Sequence, residues 1–290
     1  MQSLVIAGQN LSKQTISVVL PVHSGVRPEH LEATLGSIHS QSLRADEIVV
    51  VEDGPLRAGH HKAIENFLGQ DSRVRRVKIQ TNSGAGVANQ VGLLAATGRW
   101  IAKVDADDIN VPHRFERQLA EVQRQGLDVC GSAMGEFTDD PAVLLGVRAS
   151  PISHDSIARR MRWNNPINHP TAFFRRTFAL RAGGYRPMRY MQDYDLFARL
   201  LSAGAQMGNL AEVLVLFRGG SEMFARRRTS SIHRWEWELQ RNLRSYGVIT
   251  RTEMARNVTT RTVARVAPAS LIEPLYNRLF RDSSLRVEAP

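Results

Sequence analysis

Three aspartates stand within four residues at the end of a short, mostly apolar segment. The segment runs from Trp100 to Val104, and Asp105, Asp107 and Asp108 follow it. Carboxylates this close repel one another, and a bound divalent cation relieves the repulsion. A cation held by only two or three carboxylates keeps open positions that substrate phosphates can fill. The spacing therefore predicts a metal site for a phosphate-bearing ligand, and a solvated acidic turn is the competing interpretation.

This segment is the last of four strand-like stretches in the first 130 residues. Helical patterns, with apolar residues three and four apart, lie between the stretches. Strands that alternate with helices predict an α/β fold whose mostly parallel sheet is covered on both sides. Ligands of such sheets bind beyond the carboxyl ends of the strands, so we expect Glu52 and Asp53 to join the aspartates at one edge. The predicted strands cover residues 16–22, 46–52 and 74–80 and a segment from residue 100, and the helices cover 28–41, 60–68, 86–96 and 112–125.

The pattern becomes mixed after about residue 130. Strands are predicted at 171–174 and 213–217, with a helix at 193–203 between them. Three further helices, at 234–246, 251–265 and 268–281, make up the tail. We therefore expect a helical C-terminal extension over residues 231–290.

The chain is strongly basic, with a formal charge of +10 and a pI near 10.5. From residue 222 onward there are thirteen arginines against seven acidic residues. This charge indicates an anionic partner such as a nucleotide, a nucleic acid or an anionic lipid surface. The first tail helix has an apolar and aromatic face that either packs on the parent domain or lies at a membrane interface. Its members are Trp235, Trp237, Leu239, Leu243 and Tyr246.

Other features argue against several classes of protein. Cys130 is the single cysteine, so we expect neither a disulfide framework nor a cysteine metal cluster. Neither an export signal nor an apolar stretch of 18 residues is recognisable, so we expect a chain that is not secreted and does not span a membrane. The glycines at Gly84 and Gly86 resemble a dinucleotide-binding turn, but Asn89 stands where Gly or Ala allows close packing. We therefore expect no nicotinamide or flavin site.

Three polar groups each have two interpretations. Asp193 opens a predicted helix, where it either caps the helix or faces the metal. His169 lies in an asparagine-rich turn before a strand, which is either ordinary loop chemistry or a rim that faces a substrate. The cluster from Arg226 to Arg228 is either solvated surface or a partner for phosphate.

Together, and in this order, the motifs resemble family 2 glycosyltransferases of the GT-A fold, a Rossmann-like fold. The resemblance is strongest to the amylovoran-biosynthesis type, which builds bacterial surface polysaccharide. It covers residues from about 15 to 230 and, more loosely, residues up to 281. The motifs that carry it are Leu20-Pro21-Val22-His23, Val51-Glu52-Asp53-Gly54-Pro55, Asn82-Ser83-Gly84, Asp105-Ala106-Asp107-Asp108-Ile109, Asn165 to Thr171, Gly183-Gly184-Tyr185 and Gln192-Asp193-Tyr194-Asp195-Leu196.

The resemblance implies a nucleotide-sugar donor, with UDP as the expected nucleotide. Asp53 would read the pyrimidine base, and Asp105 would lie near the ribose. Asp107, together with Asp105, would bind a Mn²⁺ or Mg²⁺ that bridges the diphosphate. The diphosphate would also be held by Arg227 and Arg228. Further donor contacts would come from Pro21, Val22, His23, Asn82, Gly84, Asn89 and Ala106.

The resemblance also implies an inverting transfer to an acceptor hydroxyl. Asp193 would be the general base that removes the hydroxyl proton, and His169 and Gln192 would line the acceptor side. The acceptor would be a saccharide, free or polyprenyl-linked, in cell-surface polysaccharide or glycolipid biosynthesis. We therefore expect a cytoplasmic protein, peripheral on the inner face of the cell membrane. Residues 1–230 would form the GT-A domain, with a donor half at about 15–130 and an acceptor half at 131–230.

Three alternatives remain open at this point. Gln192 stands where the family has Glu, which allows a non-catalytic homologue of the same fold. The positive charge allows a nucleic-acid-binding protein, although that function gives no reason for aspartates at a strand end, so we expect no nucleic acid. A dehydrogenase that uses the Gly84 turn is the third. The sequence does not indicate an oligomeric state.

Overall fold

The computed structural model describes residues 14–68, 71–219 and 232–266. Within these ranges one nine-stranded sheet is flanked by helices. The strands are β1 (Ile16–Val22), β2 (Glu47–Asp53), β3 (Val74–Ile79), β4 (Trp100–Lys103), β5 (Ile109–Asn110), β6 (Val129–Phe137), β7 (Gly146–Arg148), β8 (Phe173–Arg175) and β9 (Met207–Arg218). The helices are α1 (Pro28–His39), α2 (Ala58–Leu68), α3 (Ala85–Ala95), α4 (Arg114–Gln125), α5 (His154–Met161), α6 (Arg176–Arg181), α7 (Gln192–Ser202), α8 (Ile232–Ser245) and α9 (Arg251–Val266).

The strand order is β3-β2-β1-β4-β8-β6-β9-β5, and β7 pairs with β6 outside this path. β1 to β4 are parallel to one another, as are β6 and β9, and β8 runs antiparallel between β4 and β6. The carboxyl ends of β1, β2 and β4 therefore meet at one edge. The expected α/β architecture with a mostly parallel sheet is confirmed.

The sheet has an apolar layer on each face because successive strand residues point to opposite sides. Val19, Val49 and Val51 belong to one buried cluster, which also contains residues of α3, α7 and α8. Val18 and Val50 belong to the other, with residues of α1, α2 and α4. Burial on both faces explains why these strands have continuous apolar sequences.

The local sequence sets several helix ends. α1 begins at Pro28, whose fixed φ suits a first helical turn and whose missing N–H needs no partner there. α4 ends before Gly126, which has a φ of 65° and donates its N–H to the Val122 carbonyl. A left-handed residue after a helix is most readily a glycine.

The structure departs from the expected elements mainly after residue 103. β5, β6 and β7, together with α5 and α6, lack a counterpart in the predictions. The strand expected at 171–174 begins at Phe173, because His169 to Thr171 forms a 3₁₀ turn around Pro170. The tail helices expected at 234–246 and 251–265 are α8 and α9, and the helix expected at 268–281 lies outside the described residues.

The first tail helix packs on the domain. Leu239 and Leu243 of α8 are fully buried and share a cluster with Leu196 and Phe197 of α7. The division at residues 130 and 230 remains a prediction. Within the described ranges, every helix is too short or too polar to cross a bilayer.

Candidate active site

A cleft of about 1040 Å³ opens at the carboxyl ends of β1, β2 and β4. Ten of the residues predicted to contact the donor or the metal line it. The structure thus brings together side chains that lie up to 86 residues apart in the sequence. These are Pro21, Val22, His23, Asp53, Asn82, Gly84, Asn89, Asp105, Ala106 and Asp107.

Asp53 joins the loops that follow β2 and β3. One of its carboxylate oxygens accepts a hydrogen bond from the Ser83 N–H at 2.7 Å, and the other accepts one from the Gly84 N–H at 3.0 Å. Gly54 has a φ of 84°, and a Cβ there would lie 2.7 Å from the Asn82 nitrogen. The Asp53 side chain is almost fully buried, so it has one defined position at the wall of the cleft.

The three aspartates after β4 do not face the same way. Asp105 and Asp107 line the cleft, and Asp105 accepts a hydrogen bond from the buried Lys103 ammonium. Asp108 is buried and turned toward β9, where its Oδ1 accepts the Arg218 N–H at 2.9 Å. The expectation that three carboxylates converge on one point is therefore wrong for Asp108. Its carboxylate is held at the end of β9 by that backbone N–H and does not line the cleft.

Charge on the two kinds of aspartate differs accordingly. Burial raises the pKa of Asp105. The positive charges of Lys103 and His169 and the hydrogen bond from Lys103 lower it by more than burial raises it, so the net shift is downward. Burial and the charges of Asp107 and Asp105 raise the pKa of Asp108 well above its usual value. Asp105 is thus ionised at neutral pH.

A buried guanidinium lies beneath this motif. Arg114 of α4 donates hydrogen bonds to the Lys103 carbonyl at 2.8 Å and to Gln118 Oε1 at 3.0 Å. Burial lowers the pKa of Arg114 to about 9, while the charges of Asp108 and Asp105 oppose that shift. Arg114 therefore supplies positive charge behind the aspartates and fixes the end of β4.

The oxygen donors at the cleft wall fit a hard divalent cation that also binds phosphate. Asp105 and Asp107 offer carboxylate oxygens there. Within the described ranges, no group of three His, Cys, Asp or Glu residues could hold a cation by itself. Mg²⁺ and similar cations are commonly bound by one or two carboxylates, with substrate phosphates and water completing the coordination.

The residues predicted on the acceptor side lie next to the cleft rather than in its lining. Asp193 is in the first turn of α7, and its Oδ2 accepts a hydrogen bond from Asn165 Nδ2 at 2.7 Å. Its neighbour Gln192 is largely buried. Met191, just before the helix, has a φ of 62°, a strained value for a residue with a side chain.

His169 and Tyr185 connect the two carboxylate sites. The His169 Nε2 and the Tyr185 hydroxyl are 3.0 Å apart, within hydrogen-bonding distance. Burial lowers the pKa of His169, and the negative charges of Asp193 and Asp105 oppose that shift. The same two carboxylates act on Tyr185, whose pKa burial raises well above its usual value. Asp193 and Asp105 are thus close to the same pair of rings.

A model of the family described as "Glycosyl transferase family 2" matches residues 17–184, more than half of the chain. The chain belongs to glycosyl transferase family 2. Among its relatives is the amylovoran biosynthesis glycosyltransferase AmsE of Erwinia amylovora, which is 34% identical over 266 residues, covering 90% of this chain and 98% of the relative. This glycosyltransferase is therefore an enzyme of the class that the motifs predicted.

A second relative of the glycosyltransferase has a more specific description. It is the UDP-Gal:alpha-D-GlcNAc-diphosphoundecaprenol beta-1,3-galactosyltransferase of Escherichia coli. It is 26% identical over 266 residues, covering 91% of this chain and 96% of the relative.

Two solved structures share the fold of the glycosyltransferase. S. aureus TarS 1-349 in complex with UDP-GlcNAc matches with a TM-score of 0.65 and 16% identity, over 92% of this chain and 73% of that one. The mannosyltransferase PcManGT from Pyrobaculum calidifontis, in complex with GDP-Man and Mn²⁺, matches with a TM-score of 0.58 and 14% identity, over 89% of this chain and 72% of that one. The fold is GT-A.

The sequence did not reveal several cations of the glycosyltransferase's cleft. Arg27, Arg189 and Arg218 line it together with Lys103. Arg218 is held in place because its Nη1 donates to the Thr138 carbonyl at 2.9 Å and its guanidinium lies 4.5 Å from the centre of the Phe137 ring. The predicted diphosphate ligands Arg227 and Arg228 lie outside the described residues.

The sequence also did not reveal that Asp195 is the centre of a buried hydrogen-bond network. It is fully buried, and its carboxylate accepts hydrogen bonds from Arg199 Nε at 2.9 Å, Asn242 Nδ2 at 3.1 Å and the Tyr246 hydroxyl at 2.8 Å. Arg199 also donates to the Gly184 carbonyl at 2.6 Å. This network ties α7, which carries Asp193, to α8. The four-residue spacing of Asp195 and Arg199 was the available sequence signal.

Proposed function

We propose that this enzyme transfers a sugar from a UDP-sugar to a hydroxyl of a saccharide acceptor, with inversion at the anomeric carbon. The observation that carries the proposal is the cleft in which Asp53, at the end of β2, meets Asp105 and Asp107, which follow β4. The descriptions of the two relatives support a role in cell-surface polysaccharide or glycolipid biosynthesis and a polyprenyl-linked acceptor.

On the donor side we assign Asp53 to the pyrimidine base. Its carboxylate also orders the loop at Ser83 and Gly84, so the base pocket and that loop depend on one side chain. Pro21, Val22 and His23 would close the pocket from β1. Arg218 and Arg189 carry charge that suits the diphosphate, and arginine is well suited to bind phosphate.

We assign Asp105 and Asp107 to a Mn²⁺ or Mg²⁺ ion. When bound, such an ion neutralises charge that develops on the departing nucleoside diphosphate. Lys103 reduces the negative charge contributed by Asp105, which leaves Asp107 as the stronger ligand.

We assign Asp193 as the general base. A new bond forms between the acceptor oxygen and the anomeric carbon, the bond from that carbon to the diphosphate oxygen breaks, and the hydroxyl proton passes to Asp193. Attack from the face opposite the leaving group inverts the configuration. The Asn165 amide orients one carboxylate oxygen, and Gln192, unlike a glutamate, adds no competing negative charge. His169 would line the acceptor side, with Tyr185 as its hydrogen-bonding partner.

A pair of neighbouring variants tests the proposal through nucleotide binding. Titration calorimetry would measure UDP binding with and without Mn²⁺. Asp107→Asn should abolish the Mn²⁺-dependent part of the affinity, because Asp107 lines the cleft. Asp108→Asn is the matched control and should retain that part, because Asp108 is buried and bound to β9. Failure of every nucleoside diphosphate to bind would contradict the function, and equal losses in both variants would contradict the metal assignment.

A further inference from the structure

α8 has two faces of opposite character. Its buried face contains Leu239, Leu243 and Glu236 and packs on the domain. Its exposed residues fall in one stripe at three- and four-residue spacing, so they share a single helix surface. We call this stripe the basic face; its members are His233, Arg234, Trp237, Arg241, Arg244 and Ser245.

The charge on the basic face is strongly one-sided. Its three arginines are solvent-exposed, and Glu238, at its edge, is the one acidic residue among the exposed and half-exposed positions of α8. Trp237 is 51% exposed, a large fraction for a tryptophan in a packed helix. Arginines supply attraction to anionic headgroups, and a tryptophan among them suits the interface between headgroups and acyl chains.

α8 begins at the wall of the active-site cleft. Ile232, the first residue of α8, lines that cleft, and Arg234 follows two positions later. A surface bound to the first turn of the basic face would therefore lie at the end of α8 that borders the cleft.

We propose that the basic face docks the enzyme on an anionic phospholipid bilayer, so that a lipid-linked acceptor is presented at the cleft. The choice of a bilayer as partner rests on the proposed function, because a polyprenyl-linked acceptor is itself in the membrane. The attachment is electrostatic with one aromatic anchor. From the apolar stripe seen in the sequence it uses Trp237 but not Leu239 or Leu243, which are buried in the cluster shared with α7.

Vesicle binding by the full chain, without donor or acceptor, tests the proposal. The vesicles contain equal amounts of phosphatidylglycerol and phosphatidylcholine, with pure phosphatidylcholine as the neutral control. The variant Arg234→Gln/Arg241→Gln/Arg244→Gln should bind the anionic vesicles on the order of a hundredfold more weakly. The matched control is Arg44→Gln/Arg57→Gln/Arg124→Gln, which removes the same charge from exposed sites outside α8 and should lose far less.

A second readout locates the contact. Brominated phosphatidylglycerol should quench tryptophan fluorescence in the wild type and in Trp163→Phe, whose Trp163 is also exposed, but much less in Trp237→Phe. Equal binding losses in the two arginine variants would overturn the proposal. The proposal would also be overturned if the α8 arginine variant bound vesicles like the wild type but had a lower unfolding temperature. That result would mean that another part of the chain covers the basic face. If the α8 arginine variant lost binding to duplex DNA but still bound the anionic vesicles like the wild type, the proposal would be overturned as well.

The docking proposal and the transfer proposal can fail separately. Release of nucleoside diphosphate in the presence of a water-soluble acceptor needs no membrane, so the α8 variant should retain it. Normal release with no vesicle binding refutes docking alone, and vesicle binding without any release refutes the transfer function alone.

Discussion

Replacing Asp195 by Asn should destabilise the protein more than any exposed ion-pair substitution. The Asp195 carboxylate is fully buried and receives hydrogen bonds from Arg199, Asn242 and Tyr246. The amide keeps the size but removes the charge, and it turns an N–H₂ group toward donors. Arg199, which is only 8% exposed, then has no carboxylate in its site.

The size of the effect follows from that burial. Breaking a buried ion pair by removing one partner costs about 3–5 kcal/mol, because the other charge remains uncompensated. A chain of 290 residues has an unfolding entropy of roughly 0.6 kcal/mol per kelvin near its transition. The unfolding temperature should therefore fall by about 5–8 °C.

Thermal unfolding followed by circular dichroism would measure this shift. The control is Glu212→Gln, which breaks the pair with Arg117, whose side chains are 40% and 49% exposed. Exposed pairs contribute up to about 1 kcal/mol, so the control should lose less than about 2 °C. If Asp195→Asn lowers the temperature no more than Glu212→Gln does, the reasoning about the buried network is wrong.

Three further predictions concern packing, reactivity and pH. Gly86→Ala should lower the free energy of unfolding, measured in urea, by about 1–3 kcal/mol, because the new Cβ would lie 2.3 Å from the Arg186 carbonyl oxygen. Gly36→Ala is the control and should stabilise α1, because nothing lies within 4 Å of its new Cβ. A larger loss in Gly36→Ala than in Gly86→Ala would contradict this packing. Burial raises the pKa of the Cys130 thiol to about 12, so Ellman's reagent at pH 8 should label it only after unfolding, and rapid labelling of the native chain would refute its burial. Burial lowers the pKa of His169, so the unfolded chain takes up its proton first as the pH falls below about 6.5; the stability from His169 is complete above that pH and is lost below it. His169→Gln should flatten the profile of stability against pH below about pH 6.5. An unchanged slope in that range would contradict the assignment of this pH dependence to His169.

The alternating half of the fold was predictable because its signals are local. Strands buried on both faces are continuous apolar runs, and glycine or proline marks the turns between them. Once the strands were assigned, their carboxyl ends gave the edge where Asp53, Asp105 and Asp107 meet. That edge holds the cleft.

β6 shows why the second half was harder to predict. All nine of its residues are buried, yet its sequence, Val-Cys-Gly-Ser-Ala-Met-Gly-Glu-Phe, resembles a loop. Its glycines are needed because side chains from elsewhere in the chain leave no room for a Cβ. A Cβ at Gly131 would lie 2.2 Å from Asn209 Oδ1, and one at Gly135 would lie 2.9 Å from Leu144. A local pattern cannot reveal a requirement set by a side chain 78 positions away.

The candidate site has the same limit. Nothing near Asp108 in the sequence distinguishes it from Asp107, because the N–H that turns it inward belongs to Arg218, 110 residues later. The role of Asp195 likewise depends on Asn242 and Tyr246, which follow the family match. Motif spacing found ten of the residues that line the cleft, but it found neither the cations that line it nor the contacts that hold these side chains.

The central claim is that Asp193 is the general base of sugar transfer. Measuring sugar transfer by the variant Asp193→Asn tests this claim most directly. The donor is first chosen by measuring nucleoside diphosphate release from a panel of UDP- and GDP-sugars, and donor affinity and turnover are then measured separately. The matched control is Asp155→Asn, because Asp155 is also a first-turn aspartate, in α5, but is exposed. The account predicts near-normal donor affinity in both variants and turnover reduced by about 10²–10⁴-fold in Asp193→Asn alone. Turnover in Asp193→Asn equal to that of the control would contradict it.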